Sequence, residues 1–397
     1  MPNPVSLISA FPPDELKEFI LSQNKYNRLN VFIDLKNVLQ SLYIPSIIDE
    51  IVANSQTMSN IDSTIFQSIL NIISYWKNYG RYKGMRTYVY ITTDIGRSQY
   101  HRDIYQKYKN SRYITNTKYG PNNVKLIEIR DNNFKLAEKV INKIQNAHFF
   151  CLDFLESDFV PYYLLSRNFV YHDDSTLNII CSNDKDLYQT TEIPNTIIVY
   201  KKFKYRDLLT KNDVLKFYTG INKTKTKRKE IRIKILDSLD MRYITTMMAI
   251  VGDVADDIPG VSGIGLSKVI DLFEDESMVS TVLGSVDDIN DRIFNNGKLF
   301  IDDMIGISKL PNFAWKSAMI NNDLVTRSYK LISFEQLSRW LDNENSLFKT
   351  NSKNYMINII EKSNIPLIEN MSDLVSQLFK LEDFQLEERV IHSLGGA

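Results

Sequence analysis

The stretch LNIICSNDKDLYQ, residues 177–189, is an apolar run that breaks at once into two carboxylates, Asp184 and Asp186, two residues apart. A short β-branched run bounded by turn residues reads as a strand buried on both faces, the kind found in parallel sheets. Working outward, the same pattern recurs. LNVFID (29–34) ends in Asp34, RTYVYIT (86–92) is followed by Asp94, and TIIVY (196–200) gives a fourth strand. Ile61 to Lys77 has helical apolar spacing and predicts a crossover helix. These signs predict an α/β fold with a mostly parallel central sheet and flanking helices. In such sheets ligands bind beyond the carboxyl ends of the strands, which is where the acids fall.

Beyond Tyr205 the spacing predicts helix. Asn222 to Lys234, NKTKTKRKEIRIK, reads as an exposed basic loop leading into one. VGDVADDIPGVSGIGLSKVIDLF (251–273) carries its proline and glycines in the middle, so it predicts helix, tight turn, helix. After about residue 298 the chain is mixed helical, with boundaries at Pro311 and Pro366. The expected division is residues 1–235 as an α/β core with a distinct basic segment near 95–125, 236–298 as a helix–turn–helix region, and 299–397 as a mostly helical C-terminal region.

Hydrophobic residues make up 43% and charged residues 24% of 397, which excludes global disorder. No apolar run approaches the roughly 20 residues of a membrane helix. The N-terminus lacks a basic start before an apolar stretch, so no signal peptide is expected. Cys151 and Cys181 are too few for a disulfide framework or a four-sulfur zinc site. A soluble, reduced, cytoplasmic protein with no membrane partner is the expectation. The net charge of zero is uneven: residues 201–234 hold 13 basic against 3 acidic side chains, and residues 77–118 hold 10 against 2. Such blocks predict a basic surface for a polyanion, with Lys225, Lys227, Arg228 and Lys229 at its centre.

The acids at strand ends and helix starts are Asp34, Asp94, Glu156, Asp158, Asp184, Asp186, Asp253 and Asp256. One such acid is an ordinary turn or cap residue. Eight converging on one edge repel one another and require cations. All-oxygen donors select Mg²⁺, with Mn²⁺ as a substitute, and two ions about 4 Å apart serve in-line displacement at a phosphodiester. Arg102, Lys109 and Arg112 lie close enough in sequence to Asp94 to neutralise charge developing on the phosphate. His101, between them, reads as incidental. In GVSGIG, Gly260, Gly263, Ile264 and Gly265 form a turn whose main chain can approach a phosphate backbone, with Ser267 and Lys268 adding contacts.

At these residues the chain resembles the 5′-nuclease family of flap endonucleases, polymerase I 5′-nuclease domains and phage 5′ exonucleases and ribonuclease H, the phage branch above all. VGDVADDIPGVSGIGLSKV resembles the family's helix–three-turn–helix segment. CSNDKDLYQ and HRDIYQKYKNSR match two more motifs, and VFIDLKN and LESDFV are weaker matches, all in family order from about Val31 to Phe273. The resemblance implies a PIN-like core, a helical arch and a metal-dependent 5′–3′ exonuclease and flap endonuclease of replication or repair, with ribonuclease H activity open. It implies one metal among Asp34, Asp94, Glu156 and Asp158 and a second among Asp184, Asp186, Asp253 and Asp256. Lys109 and Arg112 then sit at the arch base, and the GIG turn holds duplex phosphates and a K⁺. The implied partners are DNA with 5′ flaps, nicks or gaps, RNA–DNA hybrids, and replication proteins such as a single-strand-binding protein or clamp. In a phage setting the location is the host cytoplasm.

Four positions depart from the family pattern: Phe159 stands where bacterial and phage members carry a further acid, Leu35 where a glycine is usual, Asp257 where an asparagine is usual, and Ser267 where a lysine is usual, with Lys268 one place on. Two other readings compete. One is a catalytically weak scaffold that binds DNA junctions, against which the retained carboxylates argue. The other is a PIN-like ribonuclease, against which the GIG hairpin and the chain length argue.

Overall fold

The computed structural model describes residues 14–23, 25–39, 58–111, 131–132, 134–135, 137–202, 205–214, 241–265 and 322–362. In chain order the elements are α1 (Asp14–Gln23), β1 (Arg28–Asp34), α2 (Leu35–Leu39), α3 (Met58–Tyr82), β2 (Arg86–Ile95), α4 (Gln99–Ile104), β3 (Ala147–Asp153), α5 (Val160–Ser166) and β4 (Thr176–Cys181). A 3-10 helix (Asp186–Glu192), β5 (Thr196–Lys202), β6 (Tyr205–Leu209), α6 (Met241–Val251) and a 3-10 turn (Val254–Asp256) follow. The C-terminal helices are α7 (Asn322–Ile332), α8 (Phe334–Asp342) and α9 (Leu347–Lys362).

The strands form one sheet in the order β3-β2-β1-β4-β5-β6. Five run parallel, with Val31 opposite both Val89 and Ile179, and β6 closes one edge antiparallel to β5. Two expectations need correcting. Tyr205–Leu209 is a strand rather than the start of helix, because its backbone completes the exposed edge of β5. AHFFCLD, which alternation alone does not mark, forms β3 at the other edge. There the outward backbone groups are covered by side chains instead of a further strand. Asn142 Oδ1 accepts from the Phe149 amide at 2.6 Å and its Nδ2 donates to the Phe149 carbonyl at 3.0 Å, while Tyr355 OH accepts from the Cys151 amide at 2.9 Å. This blunts an edge that would otherwise template pairing.

Both sheet faces are buried, and alternate residues of each strand serve opposite cores. Val31, Ile33, Ile179 and Cys181 pack with Trp76 and the helices of one face. Phe32, Phe150, Ile180 and Ile198 pack on the other with Phe159, Tyr163, Phe334, Leu337, Leu341 and Met356. Each such side chain contributes about 1.5–3 kcal/mol on leaving water. Helices α8 and α9 therefore share the second core with the sheet. Among the described residues no helix is long and apolar enough to cross a membrane. The strand order turns at β1 and β4, so a crevice opens beyond their carboxyl ends.

Candidate active site

Asp34 is the last residue of β1, and its Oδ1 accepts from the Asn37 amide at 3.2 Å, capping α2. Its Oδ2 accepts from Ser182 Oγ, just past β4, at 2.8 Å. Burial raises its pKa to about 7 against these donors, with Asp184 and Asp94 adding to the rise. Asp94 lies inside the longer observed β2 and accepts from the Ser157 amide and hydroxyl at 3.1 and 3.0 Å, and from Lys36. That brings the turn after β3, with Glu156 and Asp158, to the ends of β1 and β2.

Glu156 meets the end of the α4 segment. Lys109 Nζ is 2.5 Å from its Oε1, and Tyr108 OH donates to its Oε2 at 2.9 Å. The same two groups reach Asp256 Oδ2 at 3.3 Å each, so one ammonium and one phenol join an acid after β3 to an acid after α6. Burial presses the Glu156 pKa upward, yet the adjoining Lys109 charge holds it down to about 2. Lys109 itself has φ 52, a conformation costing a side-chain-bearing residue about 1–2 kcal/mol. Its amide donates to the Asp256 carbonyl at 3.0 Å, and the Ser111 amide donates to Asp257 Oδ2 at 2.7 Å, which locks the strained turn in place.

Asp184 and Asp186 flank the turn after β4, and Asp253 caps the 3-10 turn, accepting from the Ala255 amide at 2.9 Å while Lys185 Nζ lies 2.8 Å from its Oδ2. Asp253 and Asp256 are thus joined by a 3-10 turn, where the sequence predicts an α-helical one. Asp158, Asp184 and Asp186 all have pKa values raised by burial first; for Asp158 and Asp186 repulsion from neighbouring carboxylates adds to it, with Glu156 foremost for the one and Asp184 for the other. Asp186 Oδ1 is buried with no hydrogen-bond partner. The structure therefore gathers all eight predicted acids around the crevice at the β1–β4 switch point.

As the side chains stand, no three of these groups close on a common point among the described residues. Lys109 occupies the space between two of them. The donor set is nonetheless all oxygen and mutually repelling, and Asp186 keeps an unsatisfied buried oxygen. It fits hard divalent cations and no softer metal.

The remaining predicted residues fall into two groups. Arg102 donates to Gln99 Oε1 at 3.2 Å within its own helix. Gly260 packs against main chain: a Cβ there would lie 1.8 Å from the Val251 carbonyl oxygen. Ile264 is buried, whereas Gly263, at φ +76, and Gly265 face open space. Arg112, Ser267, Lys268, Lys225, Lys227, Arg228 and Lys229 lie outside the described residues. Spacing gave no reason to single out Lys36, Tyr108, Ser157, Ser182 or Lys185, although each sits inside or beside a motif that carries an acid.

Among solved structures, the chain superposes on the bacteriophage T5 5′-exonuclease with bound zinc ions at TM-score 0.53 and 15% identity, over 85% of this chain and all of that one. Its fold is that of the 5′-nucleases. A second match is the bacteriophage T5 flap endonuclease in a pseudo-enzyme–product complex with DNA and metal ions, at TM-score 0.51 and 16% identity, over 84% of this chain and 100% of that one. A third, the same phage's protein co-crystallised with metal ions, gives TM-score 0.50 at 15% identity over 88% and 99%. No protein-family model matches the chain, and no curated protein matches its sequence.

Proposed function

We propose that this protein is a metal-dependent 5′–3′ exonuclease and flap endonuclease that hydrolyses phosphodiesters near 5′ ends of DNA, with RNA in RNA–DNA hybrids as a further substrate. The observation that carries the reading is the convergence of eight carboxylates at one buried sheet edge, where Asp186 retains an oxygen with no partner. Two Mg²⁺ ions, or Mn²⁺ in their place, held by these acids would activate the attacking water and stabilise the leaving oxygen. The neighbours of like fold were crystallised with divalent ions and, in one case, DNA, which agrees with that assignment.

The chain's own residues supply the rest. Ser157, Ser182 and the Asn37 amide orient Asp94 and Asp34 through the hydrogen bonds given above. Lys109 brings a permanent charge to the crevice and faces the phosphate as negative charge develops on it. Gly263 and Gly265 carry no side chain to hinder the approach of duplex phosphates, and a K⁺ bound to main-chain oxygens there would fit the resemblance. The test is cleavage of a 5′-labelled flap duplex and an RNA–DNA hybrid, in Mg²⁺ and in EDTA, by the natural protein and by Asp184→Asn. Metal-dependent cutting at the junction, lost in the variant with DNA binding retained, is the expected result. Tight binding without cutting in either metal would refute it in favour of a junction-binding scaffold.

A further inference from the structure

The last four carbonyls of a helix have no partner within it, and at α7 all four are accounted for. The Tyr329 carbonyl accepts from the Ser333 amide at 2.9 Å. The next three are taken by core side chains: Lys330 by Tyr100 OH at 2.6 Å, Leu331 by His101 Nε2 at 3.0 Å, and Ile332 by Gln189 Nε2 at 2.9 Å. Gln189 completes its bonding by donating to the Asp186 carbonyl at 3.1 Å and accepting from the Phe334 amide, which opens α8, at 3.2 Å. Since a carbonyl only accepts, His101 carries its proton on Nε2, and Nδ1, 2.6 Å from Ser98 Oγ, accepts. The imidazole stacks on Tyr108, with centroids 4.4 Å apart and planes at 12°. Tyr108 is the residue whose hydroxyl touches Glu156 and Asp256. The same helix sends Arg327 over the Tyr105 ring and Ser328 Oγ to the Pro259 carbonyl at 3.0 Å.

We infer that the carboxyl end of α7 is the template that sets the register of the site, with His101 and Gln189 as positioning residues. His101 fixes Tyr108, and through it the Glu156–Asp256 pair. Gln189 fixes the turn carrying Asp184 and Asp186. The C-terminal region, which carries no motif, thereby acts on three of the motif-bearing segments at once. The inference takes the proposed nuclease activity as its setting.

The test compares His101→Phe, which keeps the stack and deletes both hydrogen bonds, Gln189→Leu, and Arg167→Met. Arg167 holds α8 from another side through Glu335 at 3.1 Å and Asp342 at 2.8 Å. On a flap duplex, His101→Phe and Gln189→Leu lower kcat about ten- to hundredfold, the effect of misplacing reacting groups by about 1 Å, with KM little changed. Arg167→Met lowers thermal stability and leaves kcat unchanged. His101→Gln, which restores a donor at the Nε2 position, recovers most of the rate; if His101→Phe does not fold, Gln189→Leu against Arg167→Met carries the comparison. Amide exchange of the metal-free full chain gives a readout independent of activity: it accelerates over 105–111 in the His101 variant and over 184–188 in the Gln189 variant. If the natural protein cuts nothing, the nuclease reading fails and exchange alone decides the template. Unaltered exchange in those segments, or a kcat loss in Arg167→Met as large as in the others, would overturn it.

Discussion

Replacing Lys109 by methionine keeps the apolar stem and removes the ammonium 2.5 Å from Glu156 and 3.3 Å from Asp256. In the natural protein the Glu156 pKa lies below its ordinary 4.5, at about 2, so its contribution to stability is full above pH 4.5 and is lost as pH falls toward 2. Without Lys109, burial dominates and Glu156 takes up a proton instead of remaining an unpaired charge. The cost of that protonation, which adds to the lost contribution of the ion pair, is therefore bounded by the free energy of protonating an ordinary carboxyl at neutral pH. The gap between 4.5 and pH 7, at about 1.4 kcal/mol per pH unit, sets that ceiling at about 3.4 kcal/mol. It falls within the range of about 3–5 kcal/mol for breaking one side of a buried pair. At about pH 5.5 the same ceiling drops to about 1.4 kcal/mol. Urea unfolding in EDTA at the two pH values measures both. Saturating Mg²⁺ then stabilises the variant more than the natural protein, because no ammonium competes for the acids. An equal loss at both pH values, or none at pH 7, would refute the reasoning.

Burial lowers the pKa of His148 from 6.5 to about 4. Its neutral form thus contributes stability above about pH 6.5 that disappears as pH falls to about 4, about 3 kcal/mol in all. His148→Phe, which keeps the stack on Tyr90 at 4.7 Å, flattens that part of the pH profile of urea unfolding; superimposable profiles would count against it. Gly260→Ala places a methyl 1.8 Å from the Val251 carbonyl oxygen and costs more than about 3 kcal/mol, whereas Gly263→Ala meets open space and costs about 1 kcal/mol for its positive φ. Thermal unfolding of both variants checks the contrast, and equal losses would contradict it. Neutralising Lys225, Lys227, Arg228 and Lys229 together lowers the slope of log affinity for DNA against log salt by about three to four. An unchanged slope would remove that stretch from the DNA footprint.

The strands that sequence reveals are those whose own side chains bury both faces. Val31 and Ile33, or Ile179 and Ile180, need no partner to be recognised as β-branched runs in a dry interior. Strand β3 lacks that signature: Ala147, His148 and Cys151 are poor strand markers, and its stability comes from Asn142 and Tyr355, the latter more than 200 residues further on in the chain. β6 is hidden for a similar reason, since it exists to pair with β5. The acids are legible because carboxylates after strands are visible in one dimension. Their counter-ions are not. Lys109 reaches Glu156 and Asp256 only because its backbone adopts a left-handed turn held by Asp256, and Lys36 reaches Asp94 only because β1 and β2 are in register. Nor could His101 be read correctly as more than incidental, for its partner Leu331 belongs to a segment without motifs.

Phe159 shows how the fold and the chemistry constrain one another at a single position. It follows Asp158 directly, and by sequence alone its apolar side chain looks like a gap in the acidic set. In the structure it is fully buried, its ring 5.8 Å from that of Tyr163, in the core shared by the sheet and helices α8 and α9. Phe159 also caps α5, which Pro161 starts without needing an amide bond. A carboxylate at that position would lie in this apolar core beside Tyr163, and burying it unpaired would cost several kcal/mol. The position therefore serves the attachment of α8 and α9, and α8 begins at Phe334, just after the α7 end whose carbonyls Tyr100, His101 and Gln189 take. In this chain the position is given to packing, and its apolar side chain anchors the helix that continues from that end.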